Sequence, residues 1–238
     1  MTTNDGDAET PCRLVLLDIE GTTTPVSFVT KTLFPYARKR LGEFLADPKR
    51  AALVARELEE LKLSHAADTG FGAPSPGAAY IEWLMDRDAK TTALKSLQGK
   101  IWREGYERGE LHGEVYPDVP PAFERWMAHG VEIAIFSSGS VEAQRLLFAH
   151  AGGVDLSHHI RGFFDTATGG KKEPASYRAI AAATNVPPRQ VMFVSDTVEE
   201  LDAARQAGMT TALCVRPGAA EPDAPGHPIV RSFAEVMP

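Results

Sequence analysis

The sequence predicts an α/β protein: a doubly wound, mainly parallel sheet with an all-helical cap inserted after its first strand. Three observations carry this. Short apolar runs alternate with segments of helical period along most of the chain. Residues 31–114 break that alternation with helical period alone. Polar, chemistry-bearing residues stand at the ends of successive apolar runs, where the carboxyl edge of a parallel sheet gathers its ligands.

Taken in order, residues 1–10 (MTTNDGDAET) are polar and acidic and read as a flexible N-terminus. Residues 13–18 (RLVLLD) form the first strand. The insert follows, with amphipathic stretches TLFPYARKRLGEFL, RAALVARELEELKL, AAYIEWLMDRD and ALKSLQGKIWREGYERG, broken by TGFGAPSPG at 69–77. YPDVP at 116–120 marks the return. From there PPAFERWMAHG, SVEAQRLLFAH, PASYRAIAAAT and VEELDAARQAG have helical period, and 131–136 (VEIAIF), 191–195 (VMFVS) and 210–215 (TTALCV) read as buried strands. Residues 217–228 form a loop, and IVRSFAEVM supplies a last short strand and helical turn. The expected division is 11–30 with 115–238 as catalytic core and 31–114 as cap.

Composition narrows the partners. The chain has 238 residues and is 43% hydrophobic and 24% charged, which suits a globular protein with a real core. A net charge of −7 argues against tracking nucleic-acid phosphates, and a small substrate is expected instead. No apolar run approaches the ~20 residues that span a bilayer, so no membrane partner is expected. Cys12 and Cys214 are too few for a disulfide scaffold and read as reduced, buried thiols of a cytoplasmic protein. No heptad seam appears, and a monomer is expected.

The chemistry sits at the strand ends. The first strand ends in Asp18-Ile19-Glu20-Gly21-Thr22, two carboxylates one residue apart followed by a glycine that permits a sharp turn. One carboxylate can attack while the other handles protons. Ser137-Ser138-Gly139-Ser140 leads into a helix and offers hydroxyls and a helix N-terminus to a phosphate. Lys171-Lys172, after a glycine pair, can balance phosphoryl charge. Asp196, at the end of the third strand, can join Asp18 as an oxygen ligand of a hard cation such as magnesium, with Glu199 and Glu200 just beyond it. Singly, each has a bland reading as a helix cap or a solvated face. Their order along successive strand ends is what points to phosphoryl transfer. The pair His158-His159 has no partner spacing for zinc, and Trp83, Trp102 and Trp126 fit helical packing patterns. Phe28, Phe34 and Tyr36 follow the acidic turn and are candidates to line a substrate entrance.

Asp18-Ile19-Glu20-Gly21-Thr22, Ser137-Ser138, Lys171 and Asp196 together resemble the four-motif pattern of the haloacid dehalogenase superfamily, with the helical insert similar to its cap. Glu rather than Asp at position 20 departs from most of its phosphatases and resembles the enolase-phosphatase (acireductone synthase) family. DIEGTTTPVSFVTKTLFPYAR, FSSGSVEAQRLLFAH, FFDTATGGKKEPASYR and SDTVEELDAA carry that resemblance along nearly the whole chain. Aligning Ser176-Tyr177 with the family pattern selects Lys171 over Lys172, although Pro174-Ala175 replaces residues usually more polar there.

The resemblance implies a two-step reaction of methionine salvage, in which 2,3-diketo-5-methylthiopentyl-1-phosphate is enolised and then dephosphorylated. It implies Asp18 as nucleophile, Glu20 as acid and base, Lys171 as charge balance, and Ser137 and Ser138 on the phosphate or the enolising head. One Mg²⁺ would be held by Asp18, Asp196 and the main-chain carbonyl of Glu20. The base for enolisation stays open, with Glu20 a candidate. Two alternatives compete: a phosphatase for another small ester, and a phospho-accepting receiver module, against which the long insert speaks.

Overall fold

The computed structural model describes residues 11–222 and 224–236; segment 1–10, expected to be flexible, lies outside the described residues. The chain opens with β1 (Leu14–Leu17) and then runs through α1 (Val26–Phe28), a π-helical turn at Val29–Leu33, α2 (Phe34–Ala46), α3 (Ala51–Asp68), α4 (Ala78–Asp86) and α5 (Thr92–Glu107). It continues through α6 (Val119–Ala128), β2 (Glu132–Phe136), α7 (Val141–Ala149), β3 (Ile160–Phe164) and α8 (Pro174–Thr184). β4 (Val191–Ser195), α9 (Val198–Gln206), β5 (Thr210–Cys214) and β6 (Ile229–Val230) complete it. The chain divides into two compact units, one taking it up to Pro25 and from Gly113 onward, the other Val26–His112. The helical unit thus starts ahead of residue 31, because α1 and the π turn run directly into α2.

In the α/β unit six strands pair in the order β3-β2-β1-β4-β5-β6, all parallel. β1 is central, and its four apolar residues are fully buried, as a strand covered on both faces requires. Its register sets Leu17 opposite Ile135 on one side and Val194 on the other, so the ends of β1, β2 and β4 lie level. Alternation sends Leu14, Leu16, Phe136 and Phe193 to one face, where they meet Tyr177 and Ile180 of α8 and Leu201 of α9. On the other, Phe123 and Trp126 of α6 pack with Phe148 of α7 and Phe233. The edge strand β3 was not expected. Its middle is Arg161-Gly162, a charge paired with Glu132 and a residue poor in strand propensity, so its sequence lacks the apolar signature of the others.

The helical unit is held by its own contacts. Gly105 of α5 lets Tyr36 of α2 lie flat against it: a Cβ there would stand 2.7 Å from the ring. The Tyr36 hydroxyl donates to Glu110 at 2.7 Å. Phe34 stacks on Trp102, whose Nε1 donates to the carbonyl of Leu33 in the π turn at 2.8 Å. Between α3 and α5, buried Glu57 accepts from Ser96 at 2.7 Å and pairs with Lys100 at 2.6 Å. Phe28 is buried and Tyr36 is committed to α5, so of the three aromatics considered for a substrate entrance only Phe34 is exposed. Trp102 and Trp126 are buried and Trp83 partly so. Both cysteines are free; Cys214 is buried, but Cys12 is only half-buried because it precedes the central strand.

Candidate active site

Asp18 continues β1 by one residue, donating its amide to Val194 at 3.0 Å, and its side chain is buried. Beyond it the chain closes into a tight turn. The amides of Thr22, Thr23 and Thr24 all donate to the carbonyl of Ile19, and Thr23 Oγ1 donates to that of Asp18 at 3.1 Å. Gly21 adopts φ +75°, and a Cβ on it would lie 2.1 Å from Asp196 Oδ2, so the turn needs glycine both for its backbone and to admit the aspartate. The same turn leaves the Glu20 side chain exposed, two residues from buried Asp18.

Lys171 reaches this carboxylate from the segment before α8. Its ammonium lies 2.5 Å from Asp18 Oδ1 and 2.6 Å from Glu200 Oε2, with little exposure to solvent. Burial works against its charge, but Asp18 and Glu200 outweigh burial and hold its pKa above the ordinary lysine value. The approach is made by the local sequence: the Lys171 carbonyl accepts from Tyr177 at 2.6 Å, and Ser176 Oγ donates to the Gly170 carbonyl at 2.8 Å. Lys172 points elsewhere, into an exposed pair with Glu199 at 3.6 Å.

Asp196 follows β4 and is partly buried against Gly21. Burial and then the charge of Asp18 push its carboxyl above the usual range, against a hydrogen bond from Thr197 at 3.1 Å. Among the described residues no group of three or more His, Cys, Asp or Glu side chains converges as a metal site. Two carboxylates, Asp18 and Asp196, do lie close enough for the charge of the first to raise the second.

Ser137 extends β2, is buried, and accepts the Gly139 amide on Oγ at 3.2 Å; Ser138 beside it is half-buried. Ser140 caps α7 through the Ala143 amide at 3.3 Å, and the Val141 amide is taken by the Asp165 carboxylate at 3.2 Å. The first amides of α7 are thus already taken, while Ser137 and Ser138 stand at the end of β2 ahead of the bend into that helix. Gln144 shapes that bend, its Nε2 donating to the carbonyls of Gly139 and Phe164, both at 2.8 Å.

Gln144, Asp165 and the role of Glu200 escape a reading by motif. Glu200 sits one helical turn past Asp196, accepts from Ser195 Oγ at 3.1 Å and pairs with Lys171. Burial and the charge of Asp18 raise its carboxyl to about 7, with Lys171 opposing. Spacing alone places it on the first turn of a helix; that it faces inward is settled by the packing of α9 on β4.

Comparison with known proteins finds relatives along nearly the whole chain. Residues 12–208 match the family described as haloacid dehalogenase-like hydrolase. The chain is 50% identical over 229 residues to Enolase-phosphatase E1 of Synechococcus elongatus, covering 93% of this chain and 96% of that protein. It is 46% identical over 236 residues to Enolase-phosphatase E1 of Sorangium cellulosum, covering 97% and 100%. Among solved structures, the UTR4 protein of Saccharomyces cerevisiae superposes with a TM-score of 0.79 at 34% identity, covering 94% of this chain and 100% of that one. With Asp18 just past a central strand and Lys171 and Asp196 beside it, the chain belongs to the haloacid dehalogenase-like hydrolases and, within them, to the enolase-phosphatase family.

Proposed function

We propose that this enzyme enolises 2,3-diketo-5-methylthiopentyl-1-phosphate and then hydrolyses the phosphate through an aspartyl-phosphate at Asp18, giving the acireductone 1,2-dihydroxy-3-keto-5-methylthiopentene of methionine salvage. One observation carries the reading: buried Asp18 is held 2.5 Å from the Lys171 ammonium, with exposed Glu20 two residues on. A nucleophile so oriented, next to a fixed positive charge and a carboxylate that exchanges protons with water, is suited to phosphoryl transfer.

In the enolase step Glu20 takes the proton from C1, and the enolate oxygen takes one from solvent. Asp18 then attacks phosphorus. The bond from phosphorus to the C1 oxygen breaks, and that oxygen receives the proton Glu20 had removed. Glu20, again a carboxylate, draws a proton from the water that attacks the aspartyl-phosphate; the Asp18–phosphorus bond breaks, inorganic phosphate leaves, and Glu20 gives its proton to solvent, which restores the one taken up by the enolate. Lys171 balances charge throughout, and Ser137 and Ser138 hold the phosphate or the enolising head.

The carboxylates fit a hard dication. Asp18 and Asp196 are close enough for the charge of one to raise the other, and a small oxygen-liking cation relieves that repulsion. Asp18, Asp196 and the Glu20 carbonyl would hold one Mg²⁺, which when bound adds positive charge beside the transferring phosphoryl group. The two free thiols support a reducing, cytoplasmic setting, and we take the working form to be a monomer.

The test is phosphate release and ultraviolet absorbance from the synthetic diketo phosphate under nitrogen, with and without Mg²⁺, for wild type and Asp18→Asn. Metal-dependent enediol absorbance with matching phosphate release, lost in Asp18→Asn, is expected. Release from other esters but not from this one would leave the enzyme a phosphatase of different substrate.

A further inference from the structure

Arg216 is the most enclosed cation that the proposed chemistry leaves unused. It stands just past β5 and is only 5% exposed, with its guanidinium 4.1 Å from the centre of the Tyr116 ring and 4.6 Å from that of Phe233. Its nitrogens are engaged as well. Nε and Nη2 donate to the carbonyl of Thr22 at 2.8 and 2.6 Å, and Nη1 donates to Asp118 Oδ2 at 2.7 Å. So walled in, it is no ligand for a phosphate. What it grips is the outer side of the turn that carries the nucleophile.

The inner side of that turn is closed by its own amides on Ile19, bonds that run within the turn and so do not tie it to the rest of the molecule. Arg216 supplies a double, charge-assisted anchor on the Thr22 carbonyl, two residues past Glu20. The Tyr116 amide adds a second point on the carbonyl of Thr23 at 2.9 Å. The anchor is itself rigid: Asp118, which orients Arg216, also accepts from Ser232 Oγ at 3.0 Å and the Phe233 amide at 2.6 Å. A residue 194 positions away in sequence thus holds one of the two carbonyls by which the turn bearing Glu20 and Gly21 is anchored from outside, and holds it with two bonds.

We propose that Arg216, oriented by Asp118, is a positioning residue for catalysis, fixing the Asp18–Thr22 turn so that Glu20 meets the reacting oxygen. This rests on the reading of Asp18 as nucleophile and Glu20 as acid and base. Misplacing a reacting group by about 1 Å costs roughly 100-fold in rate, so the effect falls on kcat and not on substrate capture.

The experiment compares wild type, Arg216→Ala, Arg216→Lys and Asp118→Asn on the diketo phosphate with Mg²⁺, following kcat, KM, thermal melting and amide exchange of residues 19–24. Arg216→Ala is expected to lose roughly 100-fold in kcat with KM within about threefold, to remain folded, and to exchange the turn amides faster. Millimolar guanidinium should restore at least about tenfold of that loss where methylammonium does not, since only the planar ion fits between the rings. Arg216→Lys and Asp118→Asn should lose less, in kcat again. A folded Arg216→Ala with kcat within about threefold of wild type overturns the proposal. So does a loss that tracks the unfolded fraction in all three variants with no guanidinium rescue. Should Arg216→Ala not fold, the other two variants decide by the same criteria. Wild-type turnover that does not depend on Asp18 would instead remove the functional reading itself.

Discussion

Gly21 and Asp196 meet in the space a side chain on residue 21 would occupy, 2.1 Å from the aspartate Oδ2. Gly21→Ala therefore forces two penalties, a strained φ of +75° and a displaced carboxylate. The strain is of order 1–3 kcal/mol, enough to lower the melting temperature by several degrees. The displaced carboxylate should lower kcat by about 100-fold and weaken Mg²⁺ binding. Kinetics and metal titration check this together; wild-type kcat in Gly21→Ala would mean that Asp196 can swing aside without consequence.

The Lys171–Glu200 pair predicts a pH dependence of stability in metal-free protein. Glu200 is raised to about 7 by burial and by Asp18, so between the ordinary carboxyl value of 4.5 and that pH the native state binds more protons than the unfolded chain. Its contribution to stability is whole below the unfolded value and is lost as pH rises through about 7. Urea midpoints measured in chelator should fall between about pH 5 and about pH 8 in wild type and flatten in Glu200→Gln. An unchanged slope in the variant would assign the titration to Asp196, whose carboxyl is also raised.

In the helical unit, Gly105→Ala places a Cβ 2.7 Å from the Tyr36 ring, and overpacking of this kind costs about 1–3 kcal/mol. A second change, Tyr36→Ala, removes the obstacle. Denaturation of the double variant should recover part of the loss from Gly105→Ala; additive losses would show that the helices had already moved apart.

Much of this was legible in the chain because parallel strands advertise themselves. LVLL, EIAIF and VMFVS are apolar throughout, and the polar residues that end them, Asp18, Ser137 and Asp196, fall on one sheet edge by topology alone. Edge strand β3 escaped because Arg161 faces outward and Gly162 lies beneath the Phe164 ring, neither of which a search for buried runs detects. Two adjacent lysines are equivalent in composition; the hydrogen bonds of Ser176 and Tyr177 are what turn Lys171 toward Asp18. Arg216 could not be read at all, since its partners lie 98 and 194 residues off and no local pattern marks them.

The strand order carries a consequence for how this molecule is made. β1, which leads into Asp18, is made before the helical unit, yet both of its neighbours, β2 and β4, come from beyond residue 130. Four apolar residues must wait unpaired while the contiguous helical unit is synthesised between them and their partners. A nascent chain that stops before β4 holds Asp18 but neither the strand that seats it nor the aspartate beside it, so the pair of Asp18 and Asp196 cannot assemble until residue 196 has been made.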